Sequence, residues 1–417
     1  MRGLKIIMVP HIGVHTGIEE ILAIGQATHL EQAKNINQIS NDDVENIVLT
    51  KTQILIPGLI DTHIHAPQYP NCGLGYDKPL LEWLDHYTYK LEKKIPRSRT
   101  IQESRKTLDH GTTTSCYFGS LFYDSSMILV DAAIKHGQRA LIGKINMTTL
   151  APDDYVETPE ESLSCTKKFI EDVQAKQNKL VQPIITPRFA LSLDMDLMAE
   201  LGQLAKQHGL HIQTHIAENV DELKMVEEKY RMPYATVYDK ANLLTPKTVL
   251  AHGIYLTDDE VNLIVKRGTS IAHCPDSNTC LKSGLCDVRR LQAAGVKVGL
   301  GTDVAGGSSP SIVRTMKAAL DTSVHISFRE KNYQPLDYTD VFYLATLGGA
   351  EALALEEEIG NFAIGKDFDA LIVDMDAEGS SVDFLLHCSP RELLQKFIYY
   401  GDDKNIKSVF VAGKSVK

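Results

Sequence analysis

One pattern limits the possible folds more than any other: a short apolar, β-rich run is followed by a helix-like segment, and this alternation occurs eight times. Eight strands alternating with helices predict an α/β fold, a parallel (β/α)8 barrel of the TIM type. A doubly wound open sheet uses the same alternation, but the strand count and the placement of polar residues favour the barrel. The eight runs span residues 55–65, 112–118, 139–146, 181–191, 211–218, 249–255, 270–277 and 297–305.

The chain length fits one barrel and a smaller second unit. A barrel of this kind needs about 250 residues, and residues 57–355 of the 417 supply them with room for long loops. The remaining ends, 1–56 and 356–417, both have the pattern of short strands and turns. We expect these two ends to pair into a small composite β domain, a β-sandwich, beside the barrel.

Composition excludes several classes of partner. The chain has 43 Lys and Arg against 54 Asp and Glu, a formal charge of −11, which opposes binding to nucleic acid or to an anionic membrane. Its seven cysteines are scattered and form no Cys-x-x-Cys pair, as is typical of a reducing compartment. No apolar stretch approaches the length of a membrane span. We therefore expect a cytoplasmic protein that acts on a small molecule.

Potential metal ligands lie at the ends of the proposed strands. His63 and His65 are two residues apart in the first run, so on a strand they point to the same face. His215 ends the fifth run, His252 the sixth and Asp303 the eighth. Barrel enzymes build their active sites at these carboxyl ends. Histidine nitrogens with a carboxylate oxygen are a ligand set for zinc, with iron as a possible substitute.

The same region predicts hydrolysis. A metal held by neutral histidines and one carboxylate lowers the pKa of a bound water from 15.7 to about 7. Glu218, three residues after His215, is placed to carry a proton from that water to a leaving group. The fourth run ends in residues 186–191 without a lysine or an acid that could bridge two metals. We therefore predict a single metal ion.

Three further residues are candidates for binding a planar heterocycle. Arg188 has the two-pronged donor geometry that suits the O6/N7 edge of guanine. Phe189 is an aromatic residue able to stack on a ring, and Gln68 offers both a donor and an acceptor. Arg188 and Gln68 also have an ordinary structural interpretation, as surface or loop-closing side chains. His273, at the end of the seventh run, is expected to border the site without contacting the metal.

Together, these residues resemble the guanine deaminase family of the amidohydrolase superfamily, and the resemblance runs from about residue 55 to the C-terminus. The general superfamily signature is His-x-His with Thr-Asp, whereas His-Ala-Pro-Gln, Leu-Leu-Glu-Trp-Leu and Pro-Arg-Phe are narrower. The matching segments begin at Pro57 (Pro-Gly-Leu-Ile-Asp-Thr-His-Ile-His-Ala-Pro-Gln-Tyr), Leu80 (Leu-Leu-Glu-Trp-Leu), Gly111 (Gly-Thr-Thr-Thr), Thr186 (Thr-Pro-Arg-Phe), His215 (His-Ile-Ala-Glu), His252 (His-Gly), His273 (His-Cys-Pro), Gly299 (Gly-Leu-Gly-Thr-Asp-Val-Ala-Gly-Gly) and Ala345 (Ala-Thr-Leu-Gly-Gly-Ala).

The resemblance implies a mononuclear metal site and a homodimer. It implies one Zn²⁺ per subunit, held by His63, His65, His215 and Asp303. His252 would complete the metal site or hold the attacking water. Asp303 would take a proton from that water.

The resemblance also implies a reaction, the hydrolysis of guanine to xanthine and ammonia within purine catabolism. Glu218 would protonate N3 as C2 is attacked and would then help ammonia to leave. Arg188 would bind the purine carbonyl. The implied purine contacts are His65, Gln68, Arg188, Phe189, His215, Glu218 and Asp303.

Two other functions stay open at this point. The first is a related aminohydrolase or chlorohydrolase with the same metal site and another heterocycle as substrate. The second is a non-catalytic scaffold protein on the same fold. Scaffold proteins of this kind usually lose metal ligands, and all of the candidate ligands and Glu218 are present here.

Overall fold

The computed structural model describes residues 4–9, 12–16, 21–25, 44–94, 103–384 and 387–417. None of the helices in these ranges is long and apolar enough to cross a membrane. Within the same ranges, the strands in chain order are β1 (Leu4–Val9), β2 (Ile12–Thr16), β3 (Ile21–Gly25), β4 (Val44–Val48), β5 (Gln53–Pro57), β6 (Leu59–His65), β7 (Thr112–Phe118), β8 (Arg139–Gly143), β9 (Ile145–Asn146), β10 (Val181–Pro187), β11 (His211–Ile216), β12 (Thr248–His252), β13 (Ser270–His273), β14 (Val298–Leu300), β15 (Ala370–Asp374), β16 (Ile406–Val411) and β17 (Lys414–Ser415).

The central sheet confirms the predicted barrel. Its order is β14-β13-β12-β11-β10-β8-β7-β6, with β9 also paired to β10, and all of these pairs are parallel. Sequence neighbours are therefore neighbours in space, without the reversal of strand order that defines a doubly wound sheet. The segment after β14 returns to β6, where Asp303 N donates to His63 O at 2.8 Å and His65 N donates to Val304 O at 3.0 Å.

Helices connect the strands, and the sequence marks many of their ends. The helix Met195–His208 begins where the Asp194 side chain accepts from Leu197 N, and it ends at Gly209, whose φ of +65° favours glycine. The described helices are Leu80–Trp83, the π-helical turn Leu84–Thr88, Tyr89–Glu92, Glu103–Asp109, Tyr123–His136, Pro159–Ala175, Met195–His208, Val220–Tyr230, Tyr234–Lys240, Asp258–Arg267, Pro275–Cys280, Val288–Ala293, Ile312–Ser327, Tyr338–Ala345, Leu347–Ala352 and Pro390–Tyr400, with 3-10 turns at Ala66–Asn71, Asp153–Tyr155, Ala190–Ser192 and Asp403–Asn405.

Both chain ends contribute to a smaller unit made of two four-stranded sheets. One has the order β3-β2-β1-β4, and the other, fully antiparallel, has the order β17-β16-β15-β5. Ile47 of the first sheet packs against the buried cluster of the second, which includes Phe368, Ile372 and Phe410. The expected β-sandwich is therefore confirmed, whereas the exact domain boundaries, at 56/57 and 355/356, stay a prediction.

Two of the eight strand runs predicted from the sequence are divided in the structure, and one of them, 139–146, forms the adjacent strands β8 and β9. The first run, 55–65, was expected to form a single barrel strand, but it divides at Gly58 into β5 of the small sheet and β6 of the barrel. A Cβ atom on Gly58 would lie 2.1 Å from Thr113 Oγ1, so the crossover between the two sheets requires glycine. None of the seven cysteines forms a disulfide within the described residues.

Candidate metal centre and active site

The barrel fold brings four of the predicted metal ligands together. His63 and His65 lie on β6, His215 on β11, and Asp303 follows β14. All four are buried, and each offers one ligand atom within 4.8 Å of the others. The carboxyl end of the barrel therefore gathers residues that are up to 240 positions apart in the chain into one site.

The distances in this cluster fit a metal ion. His63 Nε2 lies 3.1 Å and His65 Nε2 lies 3.4 Å from Asp303 Oδ1. His65 Nε2 and His215 Nε2 are 3.1 Å apart. Metal–ligand bonds of about 2.0–2.2 Å in a tetrahedral site place ligand atoms roughly 3.3–3.6 Å apart, close to these spacings. The donor set and its geometry thus fit a mononuclear metal site.

The histidine rings are also in the chemical form that ligation requires. Burial lowers the pKa of His63, and it lowers the pKa values of His65 and His215 well below the usual range. The rings are therefore neutral, as metal ligands must be. His215 Nδ1 donates to Arg188 O at 2.5 Å, which leaves Nε2 to face the cluster. Phe118, at the end of β7, packs against all three rings with centroid distances of 4.5–5.0 Å.

Asp303 supplies the carboxylate of the cluster. Burial acts to raise its pKa, but the hydrogen bond from the His63 ring, followed by electrostatic interactions with His63, His252 and His65, lowers it below the ordinary value. Its φ of +46° lies in the left-handed region, which is unusual for a residue other than glycine and is often found at functional sites. The group is therefore ionised and held in one orientation.

His252 lies beside the four-residue cluster. Its Nε2 is 3.3 Å from Glu218 Oε2 and 3.9 Å from Asp303 Oδ2. Its Nδ1 pairs with Asn278 Oδ1 at 2.9 Å, which fixes the proton on Nδ1. The ring thus stands between the two carboxylates, and its assignment as a metal ligand stays a prediction.

Glu218 is a buried carboxyl group held by its surroundings. Ser283 Oγ donates to Glu218 Oε1 at 3.3 Å, and Glu222 Oε2 accepts from the backbone N–H groups of Glu218 and Asn219 at 2.9 and 3.2 Å. Burial, and then the negative charges of Asp303 and Glu222, raise the pKa of Glu218 well above its usual value. Glu218 can therefore hold a proton beside the cluster at neutral pH.

A small cavity of about 30 Å³ opens next to these groups. The wall combines two leucines and Glu222 with four of the predicted substrate-binding residues: Leu80, Leu84, Glu222, Arg188, Phe189, His215 and Glu218.

Arg188 and Gln68 share a partner that the sequence did not reveal. Arg188 forms a two-pronged ion pair with Glu92, with Nη1 to Oε2 at 2.7 Å and Nη2 to Oε1 at 3.3 Å. Gln68 Nε2 donates to Glu92 Oε1 at 2.8 Å, while Gln68 Oε1 accepts from Ala305 N at 3.2 Å. Much of the Gln68 amide is therefore engaged within the protein, and its contact with substrate stays a prediction.

Three residues of the site were missed from sequence. Glu92 lies in Lys-Leu-Glu-Lys-Lys, which reads as an exposed charged helix, so one sequence holds no signal for it. Phe118 and Asn278 could have been found from the sequence, because Phe118 ends the second run and Asn278 follows the seventh.

His273 is buried at the end of β13, where burial and the nearby His252 lower its pKa to about 3. It is outside the four-residue cluster found among the described residues.

Comparison with known proteins identifies the family to which this chain belongs. The model of the amidohydrolase family matches residues 54–416, most of the chain. The chain belongs to the amidohydrolase family. This amidohydrolase is 46% identical over 383 residues to the guanine deaminase of Rattus norvegicus, covering 88% of this chain and 84% of the relative. It is 43% identical to the guanine deaminase of Homo sapiens, covering 94% of this chain and 90% of the relative.

A solved structure gives the same result for the fold. The crystal structure of guanine deaminase from C. acetobutylicum, with guanine bound in its active site, superposes with a TM-score of 0.87 at 31% identity. The alignment covers 100% of this chain and 99% of the solved chain. The family resemblance predicted from the sequence motifs is thereby confirmed.

Proposed function

We propose that this amidohydrolase catalyses the hydrolytic deamination of guanine to xanthine and ammonia. The observation that carries the proposal is the arrangement at the carboxyl end of the barrel. A buried cluster of three histidines and a carboxylate adjoins a small cavity, whose wall includes a carboxyl group with a raised pKa and an arginine. Relatives that are named guanine deaminase, one of them solved with guanine bound, support the choice of substrate.

The metal would be held by His63, His65, His215 and Asp303, with His252 beside them. We propose Zn²⁺, one per chain, because neutral imidazoles and a carboxylate in tetrahedral spacing suit it, and iron is the alternative. When bound, the metal lowers the pKa of water so that a nucleophile is available in neutral solution.

The two carboxyl groups have different roles in this proposal. Asp303, ionised in the cluster, accepts a proton as water adds to C2 of guanine. Glu218, which holds a proton because it is buried, donates that proton to N3. It then takes the proton of the hydroxyl group added at C2 and passes it to the amino group, which leaves as ammonia, and the proton held by Asp303 restores Glu218. His252, between the two carboxylates, orients the water. Two carboxyl groups with opposite pKa shifts thus perform the base and acid steps.

Arg188 and Phe189 are the proposed purine-binding residues, together with Gln68. Arg188 would donate to the carbonyl oxygen of guanine, and Phe189 would pack on the ring. Adenine has an amino group where guanine has this carbonyl oxygen, so Arg188 would face a donor and lose its acceptor. A site built around a hydrogen bond rejects an analogue that lacks it by about 10⁴-fold.

We also propose a homodimer located in the cytoplasm and acting in purine catabolism. These three points rest on the family resemblance and on the composition of the chain. Light scattering after size-exclusion chromatography tests the homodimer, because a monomer has a mass of 46.2 kDa. A monomer at micromolar concentration would contradict it.

An ammonia-release assay over a panel of bases tests the proposed function. We expect turnover of guanine, with at least ~10³-fold lower kcat/KM for adenine, cytosine and thioether nucleosides. A preference for one of the other compounds, or for a chlorinated triazine with release of chloride, would assign the same site to another heterocycle. If metal-loaded protein turned over none of these compounds, that result would favour a scaffold function.

A further inference from the structure

We propose that Glu92 is a positioning residue that determines specificity for a carbonyl group on the substrate. It does so by fixing which edge of the Arg188 guanidinium is available to the ligand. The inference rests on the proposed function, because it concerns the same cavity. No motif of the sequence pointed to this residue, and its role follows from its contacts.

The ion pair occupies one edge of the guanidinium. Glu92 binds Nη1 and Nη2 of Arg188, the end-on pair of donors. This leaves the side-on edge, where Nε–H and the second Nη2–H are parallel, and Arg188 takes no other side-chain hydrogen bond within the described residues. Two parallel donors match a carbonyl oxygen with an adjacent ring nitrogen, the O6 and N7 of guanine.

Glu92 is itself held in place by several bonds. Oε1 accepts from Gln68 Nε2 at 2.8 Å, and Oε2 accepts from the Tyr155 hydroxyl at 3.0 Å, in addition to the two bonds from Arg188. The Arg188 guanidinium carbon also lies 4.9 Å from the centre of the Tyr89 ring. All of these side chains are buried. The orientation of the arginine is therefore preset before a ligand enters.

The pair also sets the charge of this part of the cavity wall. Burial acts to lower the pKa of Arg188, but the charge of Glu92 raises it above the ordinary value, so the guanidinium stays charged. The net charge of the pair is zero. The pair therefore presents directional N–H donors to the cavity without adding a net positive charge. This arrangement suits a neutral carbonyl group and not an anion.

The variant Glu92→Gln tests this role, with Glu82→Gln as a control that makes the same change on an exposed residue nearby. The readouts are kcat/KM for guanine and the inhibition constants of hypoxanthine, which has the carbonyl, and of unsubstituted purine, which lacks it. We expect kcat/KM for guanine to fall about 10²-fold and the inhibition constant of hypoxanthine to rise by a similar factor. The inhibition constant of purine should change less than ~3-fold. Glu82→Gln should match the wild type.

Equal weakening of hypoxanthine and purine, or no weakening of either, would overturn the role of Glu92. If Glu92→Gln does not fold, Glu92→Asp keeps the charge and moves the carboxylate by one methylene group. This variant should weaken the binding of hypoxanthine by a larger factor than the binding of purine. An unchanged ratio of the two inhibition constants would also overturn the role of Glu92. Wild-type protein that releases no ammonia from guanine would instead refute the proposed function.

Discussion

His65 and His215 face each other through their Nε2 atoms at 3.1 Å, although they are 150 positions apart in the chain. His215 Nδ1 is bound to a backbone carbonyl, so Nε2 carries the lone pair of the neutral ring. Two buried ring nitrogens and an adjacent carboxylate oxygen converge on one point. A cation that all three share accounts for this arrangement better than a single hydrogen bond does.

Replacing a predicted ligand should remove the metal. The variant His215→Ala is expected to lower metal content from one ion per chain to below about 0.2, because a ligand and its oriented tautomer are both lost. Elemental analysis after gel filtration measures this. His208→Ala, an exposed histidine on the preceding helix, is the control and should retain the metal. Full metal content in His215→Ala would remove this residue from the ligand set.

Glu218→Gln should separate metal binding from catalysis. The amide cannot donate a titrating proton, so we expect kcat to fall by at least ~10² while metal content stays near one per chain. Steady-state kinetics with parallel metal analysis checks both values. Glu228→Gln, an exposed residue on the following helix, is the matched control. Unchanged turnover in Glu218→Gln would contradict the role of the group as an acid.

The alkaline side of the pH profile should report on Glu218. Because its pKa is raised, chiefly by burial and then by Asp303 and Glu222, the carboxyl group keeps its proton to a higher pH. Activity that needs this proton is present below the raised pKa and is lost as the pH rises through it. Glu222→Gln removes one negative charge, so the alkaline limb of kcat/KM should move to lower pH. A shift to higher pH would contradict this electrostatic account.

Gly301 should be essential for packing beside the metal ligands. An added Cβ would lie 2.8 Å from His63 Cβ and 2.9 Å from Cys274 Sγ. We expect Gly301→Ala to destabilise the fold by about 1–3 kcal/mol and to weaken metal binding through His63. Gly209→Ala has free space but a φ of +65°, so it should cost about 1–2 kcal/mol and leave metal binding unchanged. Denaturant titration and metal titration separate the two effects.

Arg139 should anchor the barrel to the small β unit. Its Nε donates to Asp369 Oδ2 at 3.2 Å, it also pairs with Asp367, and it is buried. Removing one partner of a buried pair leaves the other charge uncompensated. We expect Arg139→Ala to lower the free energy of unfolding by about 3–5 kcal/mol. A loss below ~1 kcal/mol in a denaturant titration would show that this contact adds little.

The barrel and the metal cluster were predictable because their signals are local. Each candidate metal ligand lies near the end of a strand run, and the spacing of His63 and His65 sets their common face. Parallel strands then bring these ends together whatever the distance along the chain. His215 and Asp303 could thus be assigned to the site without any knowledge of the loops.

The contacts behind the cavity were not predictable in this way. Glu92 reaches Arg188 and Gln68 from a helical segment whose course is set by tertiary packing, not by periodicity. Likewise, the division of the first run at Gly58 depends on the close approach of Thr113 from the neighbouring strand. A single sequence carries the pattern of each element and little information about which side chains meet between elements.

The most direct test combines metal analysis with guanine turnover in one preparation. Protein is assayed for ammonia and xanthine as purified, after chelation, and after addition of Zn²⁺ or Fe²⁺. We predict one ion per chain, equal amounts of both products, loss of activity in proportion to the metal removed, and recovery on addition of Zn²⁺. Full turnover of guanine by protein with less than about 0.1 metal ion per chain would contradict the account.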